Sequence, residues 1–335
     1  MRAFVISGPQ NGSVIDVAEP HVGSHDLLIQ VLRAGICGTD VEFFTGHMAY
    51  LESGDASFPL RIGHEWCGRV IGIGDAVDKK WMGKLVTSDT MLGCQNCDRC
   101  GTGYQYLCAE RDEVGVRRGF AGALAEKLVV PDFAVYELPD DMDPAIGAMA
   151  EPTGNALRTV DATHVKTGER LLIFGPGTIG LLCGLIAKSR GIEVHLVGIE
   201  AKSLAFAKQF GFAGVHERSA IPALTFHAII DATYSSDIPA LALELVEPGR
   251  HVVLIGISGT PSTIDSRTLI LKDIKLTGIL SASPGLKGAI ELLSKGTIDP
   301  RPLIANVVTL ESVGDVLSGN RAGISGDGPK IHIAP

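Results

Sequence analysis

A glycine-rich turn, Phe174-Gly175-Pro176-Gly177-Thr178-Ile179-Gly180, follows an apolar strand pattern at 170–174 and opens a helical pattern at 178–189. The spacing G-x-G-x-x-G between a strand and a helix is typical of dinucleotide-binding sites. Gly175 permits a tight turn, Gly177 lets the backbone approach a pyrophosphate, and Gly180 lets the helix pack closely on the sheet. Thr178 and Ile179 begin that helix, whose N-terminus favours an anion. A glycine-rich turn without a ligand has the same local pattern, so the elements around the turn must show whether it binds a dinucleotide.

The pattern after this turn alternates strand and helix, with further strands expected at 193–197, 215–216, 227–231, 250–255 and 275–280. Such alternation implies right-handed crossovers and a parallel sheet with helices on both faces. We therefore predict an α/β fold in which a doubly wound dinucleotide-binding domain occupies residues 151–283.

The choice of cofactor depends on the end of the second strand of this domain. Glu200 lies 20 residues after Gly180, about the distance at which an acidic residue takes the ribose hydroxyls of NAD and repels a 2′-phosphate. The strand itself ends at Gly198, where an NAD site more often carries Asp, and Lys202 nearby is suited to a phosphate. NAD is the expected cofactor, and NADP is the alternative.

The remaining sequence has a different pattern of apolar and turn residues. The first 150 residues consist of short apolar runs between Gly, Pro and Asp, which is typical of strands and tight turns. A similar β-like pattern returns at 305–310 and 330–333. We therefore predict a discontinuous β-rich catalytic domain formed by residues 1–150 and 284–335.

Four cysteines lie within fifteen residues of that domain, in a lobe at about 93–109, with the spacing C-x₂-C-x₂-C-x₇-C: Cys94, Cys97, Cys100 and Cys108. Four thiolates are the closed tetrahedral set that a structural zinc prefers. An iron–sulfur cluster or disulfide bonds would fit the same cysteines. A closed zinc site stabilises a loop and leaves no open position for chemistry, so the activity must lie elsewhere.

Composition excludes several classes of protein. The chain has 335 residues, a net charge of −9 and 5% aromatic residues, a balance that opposes binding to nucleic acid or to anionic membranes. It has no apolar run long enough to span a bilayer, and its start does not resemble a signal peptide. Seven cysteines without a secretion signal fit a reducing compartment, so a cytoplasmic protein is expected.

Two further fragments, Cys37-Gly38-Thr39-Asp40 and Gly63-His64-Glu65, contain metal-binding side chains. Each is unremarkable alone. Together with the four-cysteine lobe, Glu151-Pro152 and the glycine-rich turn, and in this order, they resemble the zinc-dependent medium-chain dehydrogenases of the alcohol dehydrogenase superfamily. The resemblance covers essentially the whole chain, and Glu151-Pro152 is similar to the polyol, threonine and sugar dehydrogenase branch.

This resemblance implies a GroES-like catalytic domain joined to a Rossmann domain, with the active site between them. It implies two zinc ions per chain, the catalytic one held by Cys37, His64 and Glu151, with Glu65 able to exchange onto it. It further suggests that Thr39 relays the proton of the substrate hydroxyl and that Asp40 orients the imidazole of His64. The family often has a histidine where this chain has Glu42, so His47 is the alternative outer end of the relay.

The implied activity is transfer of a hydride between NAD(P) and a secondary alcohol, expected to be a polyol, a sugar or a hydroxy-amino compound. A simple aliphatic secondary alcohol dehydrogenase is one alternative, and a non-catalytic nucleotide or redox sensor on the same fold is another. The zinc-free quinone and enoyl reductases of the wider family are a further alternative. They lack the Cys/His pair and the four-cysteine lobe, so the presence of Cys37 and His64 argues against that activity. Because the apolar stretch 274–280 is expected at a sheet edge, which a partner tends to cover, a homodimer or homotetramer is predicted.

Overall fold

The first part of the chain folds into short β-strands, as its apolar runs between turn residues predict. The computed structural model describes residues 1–321 and 323–335. Its strands up to residue 137 are β1 (Arg2–Gly8), β2 (Asn11–Asp16), β3 (Asp26–Gly35), β4 (Glu65–Ile73), β5 (Leu85–Ser88), β6 (Met91–Leu92), β7 (Asp112–Glu113), β8 (Lys127–Pro131) and β9 (Val135–Glu137).

The middle of the chain forms a six-stranded parallel sheet. Its strands are β10 (Arg170–Phe174), β11 (Glu193–Gly198), β12 (Gly214–Glu217), β13 (Phe226–Asp231), β14 (Val246–Leu254) and β15 (Lys275–Gly278). Their order in space is β12-β11-β10-β13-β14-β15, which is the order 3-2-1-4-5-6 of a doubly wound nucleotide-binding sheet. The predicted parallel sheet is therefore confirmed.

The last strands, β16 (Ile304–Val308) and β17 (Lys330–Ile333), return to the first part of the chain. They extend a mostly antiparallel sheet of order β16-β17-β3-β4-β5-β9, with β8 also paired to β3. The two sequence segments predicted for the catalytic domain thus share one sheet. The boundaries at 150/151 and 283/284 stay a prediction.

Helices cover both faces of the parallel sheet. The helices of the described residues are α1 (Gly38–Thr45), α2 (Ala49–Ser53), α3 (Asp98–Gly101), α4 (Pro144–Gly147), α5 (Ala150–Ala162), α6 (Thr178–Ser189), α7 (Ala201–Lys208), α8 (Ile238–Leu245), α9 (Ser266–Leu271), α10 (Leu286–Ser294) and α11 (Val313–Leu317). Leu157, Leu181 and Leu286 pack with Ile173 on one face, while Ile238 and Leu243 pack on the other. Helix α10 follows the predicted boundary, yet it packs against α5 and shares the buried cluster that covers this face of the parallel sheet.

The order of the parallel strands defines where a ligand would bind. Strands β10 and β13 are neighbours, and the chain leaves them in opposite directions. In open α/β sheets, ligands bind beyond the carboxyl ends of the strands at this switch point, which here means beyond Phe174 and Asp231. Within the described residues, no helix is long and apolar enough to cross a membrane.

Candidate active site

A cleft of about 860 Å³ opens beyond the carboxyl ends of β10 and β13, within the usual size range of cofactor and ligand sites. One wall comes from the turns of the parallel sheet. The other comes from the mostly antiparallel sheet that contains β3, β4 and β17, called the first sheet below, and from the residues beside it, with Cys37, Glu65 and Lys330. Seven of the eight predicted cofactor residues line the cleft: Gly175, Gly177, Thr178, Ile179, Gly198, Glu200 and Lys202.

The glycine-rich turn has the geometry that a diphosphate requires. Gly175 has a φ of 100°, in the left-handed region, which a glycine adopts without strain. A Cβ on Gly180 would overlap the carbonyl oxygen of Gly175, so this eighth residue serves close packing. At Gly177, which precedes α6, a Cβ would have no atom within 4 Å. This turn therefore leaves open space before a helix N-terminus, and the residues present fit a dinucleotide.

At the other end of the cleft, the environment of Gly198 explains why the second strand ends without an Asp. A Cβ on Gly198 would lie 2.8 Å from Cγ of Pro176, so the proline of the glycine-rich turn occupies that space. The exposed Glu200 instead precedes α7 and accepts a hydrogen bond of 3.3 Å from Ser203 Oγ. Lys202 pairs with Asp327 at 3.0 Å.

Arg218 is a cleft residue that the sequence reasoning did not identify. It directly follows β12, lines the nucleotide end of the cleft and forms an ion pair with Asp237. A basic residue just after the third strand is the sequence signal that would have found it. Its positive charge bears on the choice between NAD and NADP.

The second wall brings predicted metal ligands together. Ligand atoms of Cys37, His64 and Glu65 all lie within 4.8 Å of one another. Cys37 is placed at the N-cap of α1, where its N–H donates to Asp40 Oδ2 at 2.8 Å. Glu65 begins β4, and His64 immediately precedes it. A Cβ on Gly35 of β3 would overlap the Glu65 carboxylate, so the glycine on the neighbouring strand makes room for it.

Glu151 lies beside these three residues but outside their group. It is buried in the first turn of α5, and Asn155 one turn later donates a 2.7 Å hydrogen bond from Nδ2 to its Oε1. Burial raises the pKa of Glu151 to about 7, while the neighbouring His64 opposes this shift. Asn155 is therefore the residue that fixes the carboxylate of Glu151.

The electrostatics of this group favour a bound cation. The carboxylates of Asp40, Glu65 and Glu151 are all buried. Although burial opposes the charged imidazole, a hydrogen bond with Cys37 and the nearby carboxylate of Asp40 hold the pKa of His64 well above its ordinary value. Buried negative charge needs compensation. A thiolate, an imidazole and a carboxylate are ligands that zinc accepts, so the residues present fit a zinc ion.

Lys330 is the second residue that sequence reasoning missed. Its ammonium is buried, donates to both carboxylate oxygens of Glu65 at 2.7 and 2.8 Å, and donates to the carbonyl oxygen of Ile36 at 2.8 Å. Lys330 thus compensates the charge of Glu65 and holds both of its carboxylate oxygens. A lysine inside the apolar strand pattern of β17 is the signal that would have revealed it.

The predicted relay residues lie near the group without forming a continuous hydrogen-bonded chain. Asp40 Oδ1 and His64 Nδ1 are 3.8 Å apart, which is longer than a hydrogen bond, and both atoms lack a partner in the described structure. Thr39 is half-buried in the first turn of α1. Glu42 is partly buried and His47 is exposed, and the His47 N–H donates to the Glu42 carbonyl oxygen. Their roles stay a proposal.

The four-cysteine lobe gathers its thiols into a second group, in which the ligand atoms of Cys94, Cys97, Cys100 and Cys108 lie within 4.8 Å of one another. Cys97 Sγ is 3.6 Å from Cys100 Sγ and 3.8 Å from Cys108 Sγ, and Cys94 and Cys100 are 4.0 Å apart. A tetrahedron with zinc–sulfur bonds of about 2.3 Å has edges of about 3.8 Å. These separations fit a closed zinc site and are far too long for disulfide bonds.

Comparisons with known proteins agree with this architecture. Residues 23–140 match the family model of the alcohol dehydrogenase GroES-like domain, and residues 178–295 match that of zinc-binding dehydrogenases. The chain is 31% identical over 291 residues to an L-threonine 3-dehydrogenase of Chelativorans sp. (strain BNC1), covering 83% of each chain.

Two solved structures have the same fold. One is a short chain alcohol dehydrogenase from E. coli CFT073 complexed with NADH (TM-score 0.90, 25% identity, 100% of this chain and 99% of that chain). The other, from Sinorhizobium meliloti 1021, is described as a zinc-binding dehydrogenase bound to NADP (TM-score 0.90, 27% identity, with the same coverage). The GroES-like and Rossmann-type combination is therefore confirmed. The chain belongs to the zinc-dependent medium-chain dehydrogenases of the alcohol dehydrogenase superfamily.

Proposed function

We propose that this oxidoreductase transfers a hydride between NAD and a secondary alcohol that carries neighbouring polar groups: a polyol, a sugar or a hydroxy-amino compound. One observation carries the proposal. Cys37 and Glu65, two members of the metal-binding group, line the same cleft as Gly175 and Gly177 of the dinucleotide turn. A hydride acceptor and a metal-activated hydroxyl therefore have room to meet in one cleft.

In this proposal Cys37, His64 and Glu151 hold the catalytic zinc, and Glu65 is a ligand that exchanges onto it. Zinc supplies Lewis acidity that lowers the pKa of the substrate hydroxyl, and the nicotinamide takes the hydride. The chain's own contribution is positioning: Asn155 fixes Glu151, Lys330 retains Glu65, and the N-terminus of α6 faces the diphosphate. Thr39 receives the hydroxyl proton and passes it towards solvent, with Glu42 or His47 at the outer end.

The substrate class rests on Glu151-Pro152 and on the name of the relative reported above. L-threonine, the substrate in that name, has a hydroxyl beside an amino group, and this is the chemistry that we carry over as a class. The alternative is a simple aliphatic secondary alcohol, for which the same metal group would serve.

We propose NAD as the preferred cofactor because Glu200 is exposed at the nucleotide end of the cleft and repels a 2′-phosphate. The cations there are already paired, Lys202 with Asp327 and Arg218 with Asp237. The alternative is NADP, with these two cations turned towards the extra phosphate.

The test is a screen of the zinc-loaded protein with polyols, sugars, hydroxy-amino acids and aliphatic secondary alcohols, each with NAD and with NADP. We expect reduction of NAD by a member of the first three classes, loss of activity on chelation, and recovery when zinc is returned. A higher kcat/KM with NADP would reverse the cofactor proposal. Zinc-loaded protein that binds NADH but oxidises no alcohol would instead support the non-catalytic sensor.

We further propose a homodimer formed through strand β15 at the edge of the parallel sheet. Strand β15 lies at the end of that sheet, and Ile270 and Leu271 of the adjacent helix α9 are 72% and 84% exposed. Open edges and clustered exposed apolar side chains are typical of surfaces that a partner covers.

Replacing Leu271 with aspartate is expected to convert the dimer to a monomer, because a charge would have to be buried in the interface. Light scattering after gel filtration measures the mass. Ile15→Asp, at an exposed apolar side chain of strand β2, is the matched control and should keep the dimer mass. A Leu271→Asp protein that keeps the mass of the unaltered protein would contradict an interface at this edge.

A further inference from the structure

Tyr234 is a large aromatic residue that protrudes into the cleft and is not used by the proposed chemistry. It follows β13, at the switch point of the parallel sheet, and is 69% exposed. It lines the same cleft as the glycine-rich turn and Cys37. An exposed tyrosine at this point is neither part of a core nor on the outer surface, so its position needs another explanation.

The loop that carries Tyr234 is held in place on both sides. Asp231 Oδ1 accepts hydrogen bonds from the N–H of Thr233 at 2.9 Å and from its hydroxyl at 2.7 Å, and Ser235 N–H donates to Thr233 Oγ1 at 3.2 Å. A Cβ on Gly175 would lie 2.7 Å from the carbonyl oxygen of Ala232. The loop is therefore packed directly against the dinucleotide turn, and the backbone on both sides of Tyr234 is held in place.

The phenol of Tyr234 reaches across the cleft to the first sheet's wall. Its hydroxyl lies over Gly38, the first residue of α1 and the neighbour of Cys37, so that a Cβ on Gly38 would overlap Tyr234 Oη. No hydrogen bond of this hydroxyl occurs within the described part of the chain. Glycine at position 38 thus leaves the space that the hydroxyl occupies.

A dinucleotide bound as proposed must pass this point. Its diphosphate lies at Gly177 and the N-terminus of α6, and its nicotinamide must reach the group that contains Cys37. Tyr234 lies on the wall between these two positions. We infer that Tyr234 is a cofactor-binding residue whose hydroxyl donates a hydrogen bond to the diphosphate, from the side opposite the glycine-rich turn. The inference rests on the proposed function, since it assumes that a dinucleotide occupies the cleft.

The test is direct binding of NADH to the zinc-loaded protein, followed by fluorescence, for the unaltered chain and for Tyr234→Phe. The substitution keeps the ring and removes only the donor. Because hydrogen bonds to charged groups are the stronger kind, we expect Kd for NADH and for ADP-ribose to rise about ten-fold. Kd for adenosine should stay unchanged, because adenosine has no phosphate.

A matched control is Tyr104→Phe, at another exposed tyrosine, which lies in the four-cysteine lobe and should leave every Kd unchanged. Gly38→Ala should weaken NADH binding because the methyl group displaces the phenol. In a Tyr234→Ala background the same substitution should have a smaller effect, since the phenol is already absent.

A Tyr234→Phe protein that binds NADH within two-fold of the unaltered chain would overturn the inference. An equal loss of adenosine and NADH binding would overturn it too, because it would show a general change in the nucleotide site. If the unaltered protein binds neither NADH nor NADPH, the proposed function fails instead, and the two failures are therefore distinguishable.

Discussion

Replacing Cys37 with serine is expected to lower the zinc content from two ions per chain to one and to lower kcat/KM about 1,000-fold. The substitution removes the thiolate from the group that Cys37 forms with His64 and Glu65. A Lewis-acid metal contributes several kcal/mol to transition-state stabilisation. About 4 kcal/mol corresponds to roughly 1,000-fold, because each 1.36 kcal/mol is tenfold in rate. Zinc is counted per chain after gel filtration into metal-free buffer, and activity is measured on the same samples.

The control for this experiment is Cys183→Ala. Cys183 is a buried free thiol in helix α6, outside both cysteine-containing metal groups, so its replacement should leave two zinc ions per chain. A Cys37→Ser protein that retains two zinc ions and its activity would show that Cys37 is not a zinc ligand. One tightly held zinc in the unaltered chain would mean that only the four-cysteine lobe is filled.

Replacing Lys330 with methionine is expected to lower the free energy of unfolding by about 3–5 kcal/mol. Lys330 and Glu65 are both almost fully buried, and the ammonium donates to both carboxylate oxygens. Removing one partner of such a pair leaves an uncompensated buried charge, which has a cost of this size. Urea unfolding at a fixed zinc concentration measures the change, since bound zinc contributes to stability.

A double substitution separates the effect of the unpaired buried charge on stability from the effect of lost packing. Adding Glu65→Gln to Lys330→Met removes the uncompensated charge, so most of the lost stability should return. Lys295→Met is the surface control: Lys295 pairs with Glu291 on an exposed helix face, where a pair contributes about 0.3–0.5 kcal/mol. If Lys330→Met were as mild as Lys295→Met, the buried pair would not be holding Glu65.

Much of the fold was predictable from local patterns. The strand–turn–helix pattern around Gly175 and the alternation that follows it predict the parallel sheet and the end of the sheet at which a nucleotide binds. The close spacing of the four cysteines also predicted that their thiols form one group. Where the prediction was incomplete, a distant contact was responsible: the ring of Pro176 occupies the space beside Gly198, so the acidic residue that follows this strand is Glu200, past its end.

The candidate metal site also divides into residues that the sequence identified and residues that only the structure revealed. Cys37, His64, Glu65 and Glu151 were identifiable as candidates because cysteine, histidine and glutamate are side-chain types that zinc accepts and because they stand in recognisable short motifs. Neither Asn155 as the partner of Glu151 nor Arg218 at the nucleotide end had such a motif. The contact of Asn155 with Glu151 is local, since residues four apart on α5 share a face, whereas the place of Arg218 in the cleft depends on where the end of β12 lies relative to the glycine-rich turn.

By itself, the sequence determined the features whose chemistry lies within a few residues: the glycine-rich turn, the four-cysteine lobe, and the short fragments that contain the candidate metal-binding side chains Cys37 and His64. Their physical requirements are local, since a tight turn needs a glycine and a closed zinc site needs four nearby thiols. Only the tertiary structure decided that Lys330 faces Glu65 across 265 positions of sequence, and that Tyr234 lies over Gly38. Those contacts exist because β17 returns to the first sheet and because the two walls of the cleft face each other, so they depend on the path of the whole chain.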